Sequence, residues 1–519
     1  MAKITPEQAV QRLLPKRKHG QAAPSNIRLS FNRTIGDKEL LYIINNETTG
    51  ESYLCPADDK LIPIVGAWDT PEEDEELPIN MIDWLSTYEA EIEWWQDEGE
   101  SENNDTVMDS SDGPPSKTDN APQITLGNSW NQYVKANWTY DDAFTNKLTY
   151  GEFIYGSRKH WKVSGCPATS ISQVLYYWGK RGYYIGCKGV DSYTAYNYGD
   201  PNIPETGYYI DPNIPSIPDF DFTNMLDKYI QGVTYSSEQK EASSTLVQYV
   251  AMAVKSCPSY TLKKNTDGTY TKTPEDGTGA DAHDIVSGLK DNLNLDIIPY
   301  YNGKTSTAWR NLGGLASGDW DFIVTKIKEN VAAKKEDDRL PVLISGHRAK
   351  WNDQKKVWER AGGHIFVCHG YYEQSDGTKW LYINWGYGGS SYDGWFKSGL
   401  LNYKYDADTS SEGYNVSRHV YLNIKPRYNK YNVDHMLLAK ILQNIGITNT
   451  SSTKELYREL NFDYDNTITD GDAETLARFM LRDKDITKAE NHKSIELAAL
   501  VDIRKSLRSI TDKLSQLSN

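Results

Sequence analysis

Apolar and polar positions along the chain change their period several times. Residues 28–66, "RLSFNRTIGDKELLYIINNETTGESYLCPADDKLIPIVG", alternate over short runs broken by turn signals at Gly36-Asp37, Asn45–Gly50 and Asp58-Asp59, which predicts short strands. At 80–95, "NMIDWLSTYEAEIEWW", the residues Met81, Trp84, Leu85, Tyr88, Ile92 and Trp95 fall at helical spacing. The pattern then lapses over 97–119. Residues 97–113 hold seven acids, no base and almost nothing apolar, so they cannot offset their own ordering entropy and read as a flexible linker. A long block mixing both periods follows, and from about 433 the texture is helical: "VDHMLLAKILQNIG", "STKELYREL", "AETLARFMLR" and an amphipathic run at 487–516. These shifts divide the chain into 1–96, a linker at 97–122, a main block at 123–428 and a small all-α segment at 429–519. The fold class expected is α+β.

At 519 residues the chain exceeds one ordinary core, which agrees with two or three domains. The formal net charge of −16 repels phosphates and argues against a nucleic-acid partner. No run of 18 apolar residues is present, so no membrane-spanning helix is expected. The start, "MAKITPEQAVQRLL", lacks an apolar signal core; the chain is either cytosolic or a form from which a leader has been removed. Cys55, Cys166, Cys187, Cys257 and Cys368 are scattered and odd in number, with neither a metal-ligand spacing nor a disulfide framework.

Candidate chemistry begins at 160–182, "HWKVSGCPATSISQVLYYWGKRG". Pro167 suits the first position of a helix, and Ala168, Ile171, Val174, Leu175 and Trp178 form an apolar stripe behind it. Gly179 and Gly182 can end that helix. Cys166 then sits at a helix N-terminus, where unpaired N–H groups favour negative charge and a thiol becomes a better nucleophile. On this ground alone a buried structural cysteine remains an open alternative.

The stretch 361–389, "AGGHIFVCHGYYEQSDGTKWLYINWGYGG", supplies possible bases. "GGHIFVCHGYY" predicts a buried strand, on which alternation puts His364, Phe366 and Cys368 on one face and Ile365, Val367 and His369 on the other. The two histidines cannot share a cleft without a bulge. A second strand at 379–385, after the turn "SDG", would bring Asn384 beside the first, where an Asn can hold a His ring.

"SGCPATSISQVLYYW", "GGHIFVCHGYY" and "LYINWGYGG…DGWF" resemble, in order, the streptopain family of papain-like cysteine peptidases, over about 300 residues from "SWNQYVKANW" to "VYLNIKP". The resemblance implies a papain-like catalytic domain at 123–428, with Cys166 as nucleophile, His364 as base and Asn384 orienting its ring. It also implies Trp385 as the shield of that contact and Gln132 as oxyanion donor. His369 stands where the family often has Asp and reads as structural. Pro167, Ile365 and Tyr387 depart from the family's Val, Ala and Trp without removing a reacting group. Residues 1–96 resemble the family's propeptide through "LLYIINNETTGESYLCPADDKLIPIVG", implying an α/β prodomain that inhibits the enzyme until the linker is cut; a separate binding domain is the alternative. The partners implied are protein or peptide substrates and the chain's own propeptide. The setting implied is secreted, cell-surface or periplasmic, with the leader removed. No cofactor or metal is implied.

Other features are less specific. Gly277, Thr278, Gly279 and Ala280, in "TPEDGTGADAHDIVSGLKDNLNLD", resemble the family's glycine-rich turn before a helix and are substrate-binding candidates; a plain turn and cap reads equally well. His160, His283, His347 and His419 read as structural or solvated. "DYDNTITDGDAE" has the outline of a calcium loop, with Asp463, Asp465, Thr467, Thr469 and Glu474 at ligand positions, but Ile468 occupies the place of the sharp-turn Gly. An N-capped helix start is the competing reading. The leading functional expectation is a cysteine endopeptidase made as a zymogen; the alternatives are a papain-fold amidase or acyltransferase, or an adhesion protein using the domain as a scaffold.

Overall fold

The computed structural model describes residues 3–14, 28–35, 39–71, 77–98, 114–115, 153–155, 158–160, 164–183, 185–186, 190, 192–195, 208–210, 220–229, 233–302, 316–317, 320–352, 357–386, 392–399, 413–426, 435–453, 456, 460, 462 and 467–482. Linker residues 99–113 and the amphipathic run at 487–516 lie outside the described residues.

Eight α-helices are described: α1 (Pro6–Leu13), α2 (Ile79–Glu98), α3 (Gly165–Lys180), α4 (Ser237–Ala253), α5 (Ala282–Ser287), α6 (Trp320–Val331), α7 (His435–Gln443) and α8 (Asp470–Arg482). The strands at the N-terminal end are β1 (Leu29–Ile35), β2 (Leu41–Asn46), β3 (Glu51–Pro56) and β4 (Gly66–Asp69). Short hairpins follow: β5 (Phe153–Tyr155) with β6 (Arg158–His160), β7 (Tyr193–Ala195) with β8 (Tyr208–Ile210), and β9 (Cys257–Lys264) with β10 (Tyr270–Gly279). The rest are β11 (Leu295–Asn302), β12 (Ala316–Ser317), β13 (Val342–Asn352), β14 (Val357–Glu373), β15 (Lys379–Asn384), β16 (Gly394–Lys397) and β17 (Gly413–Pro426).

One sheet of 11 strands, in the order β1-β2-β3-β4-β16-β15-β14-β13-β17-β11-β12, runs through the molecule. Its pairings are antiparallel except at the β11–β12 edge. With helices packed on that sheet, the architecture is α+β. The seam between the N-terminal strands and the main block is β4 against β16, where Gly394 pairs with Trp68 and Phe396 with Gly66. Trp68 stacks on Phe396 across it, ring centroids 5.8 Å apart. The described residues between 28 and 98 are therefore built into the same sheet and core as the later block, not attached beside it.

Helix α3 is buried on every side from Gly165 to Gly179. A helix covered all round belongs to a core and holds its termini still. The Trp178 indole donates to the Ile424 carbonyl of β17 at 2.9 Å and fixes the far end. Helix α2 is buried or half-buried all round among its described side chains. Met81, Trp84, Leu85, Tyr88 and Ile92 join the main core, and Trp84 meets Phe366 of β14 edge-on at 5.8 Å. Beside that apolar stripe, Asp83, Thr87 and Glu91, spaced by four, are also buried. Helices α7 and α8 share a small core of their own with Leu438, Ile441, Phe462, Ile468 and Leu476.

Two sequence expectations change in detail. The stretch 277–279 is not a turn but the end of strand β10, which bulges between Pro274 and Thr278 before α5 begins at Ala282. The helix expected to end near 95 continues to Glu98, so the first acids of the linker belong to it.

Candidate active site

The site forms where the N-terminus of α3 meets β14. Gly165 opens the helix at φ +78°, in the region that favours glycine. A Cβ at that position would lie 2.3 Å from the Thr278 carbonyl oxygen of β10, so no other residue fits. The tight approach sets the next residue, Cys166, against the wall made by β10. Thr278 is buried there, Gly279 and Ala280 follow it, and Gly277 precedes it in the strand.

His364 comes from β14. The preceding Gly363 leaves room for the His347 ring, whose Cδ2 a Cβ would approach to 2.4 Å. Strand β14 pairs in register with β13 from Gly346↔His364 to Val342↔Cys368, so side chains alternate as the sequence implies. His364 is hydrogen-bonded to both Cys166 and Asp83 of α2. Its Nε2 lies 3.2 Å from Asp83 Oδ2, with side-chain exposures of only 8% and 4%. Burial works against a charged ring, but the bonds to Asp83 and Cys166 outweigh it, and His364 is raised from 6.5 to about 9. The imidazolium form is thus favoured at neutral pH.

Asn384 ends β15 and pairs with Val367, three residues along β14 from His364. Its Oδ1 accepts the Gly386 N–H at 2.9 Å and the Gln173 Nε2 at 3.4 Å. Trp385 is fully buried against Phe366 (4.8 Å) and Phe396 (5.1 Å), and its indole donates to the Tyr392 carbonyl at 3.1 Å. Gln132 and Tyr387 lie outside the described residues. His369 is the extra residue where the β14–β15 register shifts; it is buried, with its ring edge-on to Tyr382 at 4.8 Å. His347 lies on Gly363 and His419 stacks on Tyr421 in β17. His283 stands in the first turn of α5, its N–H donated to Asp281, and His160 lies in β6.

The calcium-like stretch is occupied by local bonds. Thr469 Oγ1 accepts the Gly471 N–H at 3.0 Å, and Asp472 accepts the Thr469 N–H at 2.8 Å, a reciprocal cap for α8. Thr467 bridges to Thr448, and Glu474 lies in the helix. Asp463 and Asp465 are outside the described residues. Among the described residues no group of three His, Cys, Asp or Glu could hold a metal ion.

Residues 130–396 match the family model described as the Peptidase C10 family. The chain belongs to the peptidase C10 family. A thiol protease/hemagglutinin, PrtT, of Porphyromonas gingivalis is 21% identical over 437 residues, covering 82% of this chain and 42% of that protein. The chain thus spans about two fifths of the curated relative's length. Among solved structures, a fragment of prointerpain A from Prevotella intermedia is 17% identical, with a TM-score of 0.45, covering 77% of this chain and 99% of that one. No helix among the described residues is long and apolar enough to cross a membrane.

Sequence reasoning missed Asp83, Ser170 and Gln173. A signal existed for each: Asp83, Thr87 and Glu91 interrupt an aromatic helix at one spacing, and Ser170 and Gln173 interrupt an apolar one. Their partners are far away in the chain, so spacing alone could not name them.

Proposed function

We propose that the chain is a cysteine endopeptidase held latent by its own N-terminal segment. The observation that carries this reading is the buried trio of Cys166, His364 and Asp83, in which the first two come from α3 and β14 and the third from α2. Cys166 attacks a substrate carbonyl while paired with the His364 imidazolium. The Cys166 backbone N–H and the Gln132 side chain receive the oxyanion, each donor contributing roughly 3 kcal/mol. His364 then protonates the leaving amine, and water hydrolyses the thioester. Asn384 and Trp385 hold the base from the β15 side. Thr278, Gly279 and Ala280 form one wall of the cleft, with Gly277 behind them.

Latency follows from α2. Cys166 is 6% exposed, and α2 buries Trp84 against the strand that bears His364. With Asp83 bonded to His364 and Trp84 seated on its strand, α2 must move before the base is free to serve a substrate. A cut in 97–122 would let it leave, and a secreted or cell-surface setting suits such a precursor. The helical segment 429–519 is assigned no part in the reaction.

The test is incubation of the purified chain with a casein-type substrate, with and without an epoxysuccinyl thiol-protease inhibitor. Inhibitor-sensitive hydrolysis that Cys166→Ala abolishes supports the reading. Hydrolysis that survives Cys166→Ala, or none at any stage of processing, rejects it.

A further inference from the structure

We infer that Gln173 is a positioning residue of this site, acting through Asn384. Its kinetic test rests on the peptidase reading above; its chemical test does not.

Cys166, Ser170 and Gln173 lie four and three residues apart on α3, which puts them on one face of the helix. All three are buried. Ser170 Oγ donates to the carbonyl of Ile365 at 3.0 Å, the residue next to His364. Gln173 Nε2 donates to Asn384 Oδ1 at 3.4 Å. A single helix face therefore carries the nucleophile, grips the backbone beside the base, and grips the amide on the neighbouring strand.

Polar groups are costly in a core unless paired, so these two bonds are not incidental contacts. The final torsion of an Asn side chain is broad and does not hold its amide by itself. Asn384 is fixed from outside, by Gly386 N–H at 2.9 Å and Gln173 at 3.4 Å converging on one oxygen. Without the Gln173 donor, Oδ1 loses one of the two bonds that set the amide's orientation. Asn384 is paired with Val367, three residues along β14 from His364, so a turn of its amide would be passed to the base through that strand.

The experiment uses the full chain with Gln173→Met, which keeps the volume but loses the donor, each alone and combined with Asn384→Ala. Two readouts are taken: kcat and KM on a peptide once activity has appeared, and the pH profile of Cys166 alkylation by iodoacetamide, followed on its peptide by mass spectrometry. The expected result is a fall in kcat of about 10- to 100-fold with KM nearly unchanged. The alkylation profile should shift, and neither effect should grow further in the Asn384→Ala background. Losses that multiply with Asn384→Ala, or wild-type kcat and wild-type alkylation in Gln173→Met, overturn the inference. Should Gln173→Met fail to show a cooperative melt, Gln173→Asn, whose amide is one methylene too short, decides by the same criteria. A wild-type chain without turnover would sink the peptidase reading, and the alkylation profile would still decide the role of Gln173.

Discussion

Nε2 of His364 lies 3.2 Å from Oδ2 of Asp83, and the two residues come from opposite sides of the acidic linker. Asp83 holds His364 from the segment proposed to leave. A carboxylate there favours the charged ring and ties α2 to it.

Because His364 is raised from 6.5 to about 9, this tie should depend on pH. A group raised on folding contributes stability that is complete below its unfolded value and lost as pH rises through its folded one. The groups bonded to the ring are Asp83 from α2 and Cys166 from α3, and both favour the proton. The closed form should therefore be held fully below about pH 6.5 and released as pH approaches 9. Onset of activity in the full-length chain, timed at several pH values, should quicken across that window. Asp83→Asn should start faster at pH 6 and flatten the dependence. A slower or unchanged start in Asp83→Asn would make Asp83 an ordinary support of the ring.

The two histidines of β14 should separate cleanly. His364→Ala should abolish turnover, whereas His369→Ala, in its bulge against Tyr382, should keep most of it. The measurement is hydrolysis of a peptide substrate with the folded fraction checked by thermal melting. The reverse outcome would reassign the base.

Gly165→Ala should be far more damaging than a typical Gly→Ala change. The position has φ +78° and a Cβ would lie 2.3 Å from the Thr278 carbonyl, so the start of α3 or the end of β10 must shift. Activity should fall by at least about 100-fold, since misplacement near 1 Å costs that much. Near-normal activity would mean the cleft wall is softer than its packing implies.

Trp84→Ala should loosen α2 specifically. The ring packs edge-on to both Phe366 (5.8 Å) and Trp320 (6.1 Å). Removing it should cost about 3–5 kcal/mol of packing in the uncut chain. Chain mass followed over time should show earlier shortening by roughly 100–125 residues, the span that ends in the acidic linker. The same variant in Cys166→Ala should stay full length if the cut is self-made. Shortening that ignores both changes would point to another protease.

Much of this site was legible because its parts are local. A glycine, a thiol and a proline before an apolar stripe specify a helix start; "GGHIFVCHGYY" specifies a buried strand; "SDG" specifies the turn that sets Asn384 near it. Periodicity and turn chemistry act within a few residues, so they are read directly from the chain. The glycine-rich run at 277–279 is the case where local signals misled. Pairing with β9 and the approach of Gly165 draw it into a strand that its glycines alone would not form.

By itself, then, the sequence determined which residues could do chemistry here and the elements that carry them. Only the tertiary structure decided what faces them. That β4 joins β16, that Asp83 meets His364, and that Gln173 reaches Asn384 depend on contacts between segments far apart in the chain. Such contacts are selected by burial and by the need to pair every buried polar group, and no period in the sequence encodes which distant partner will supply the pair.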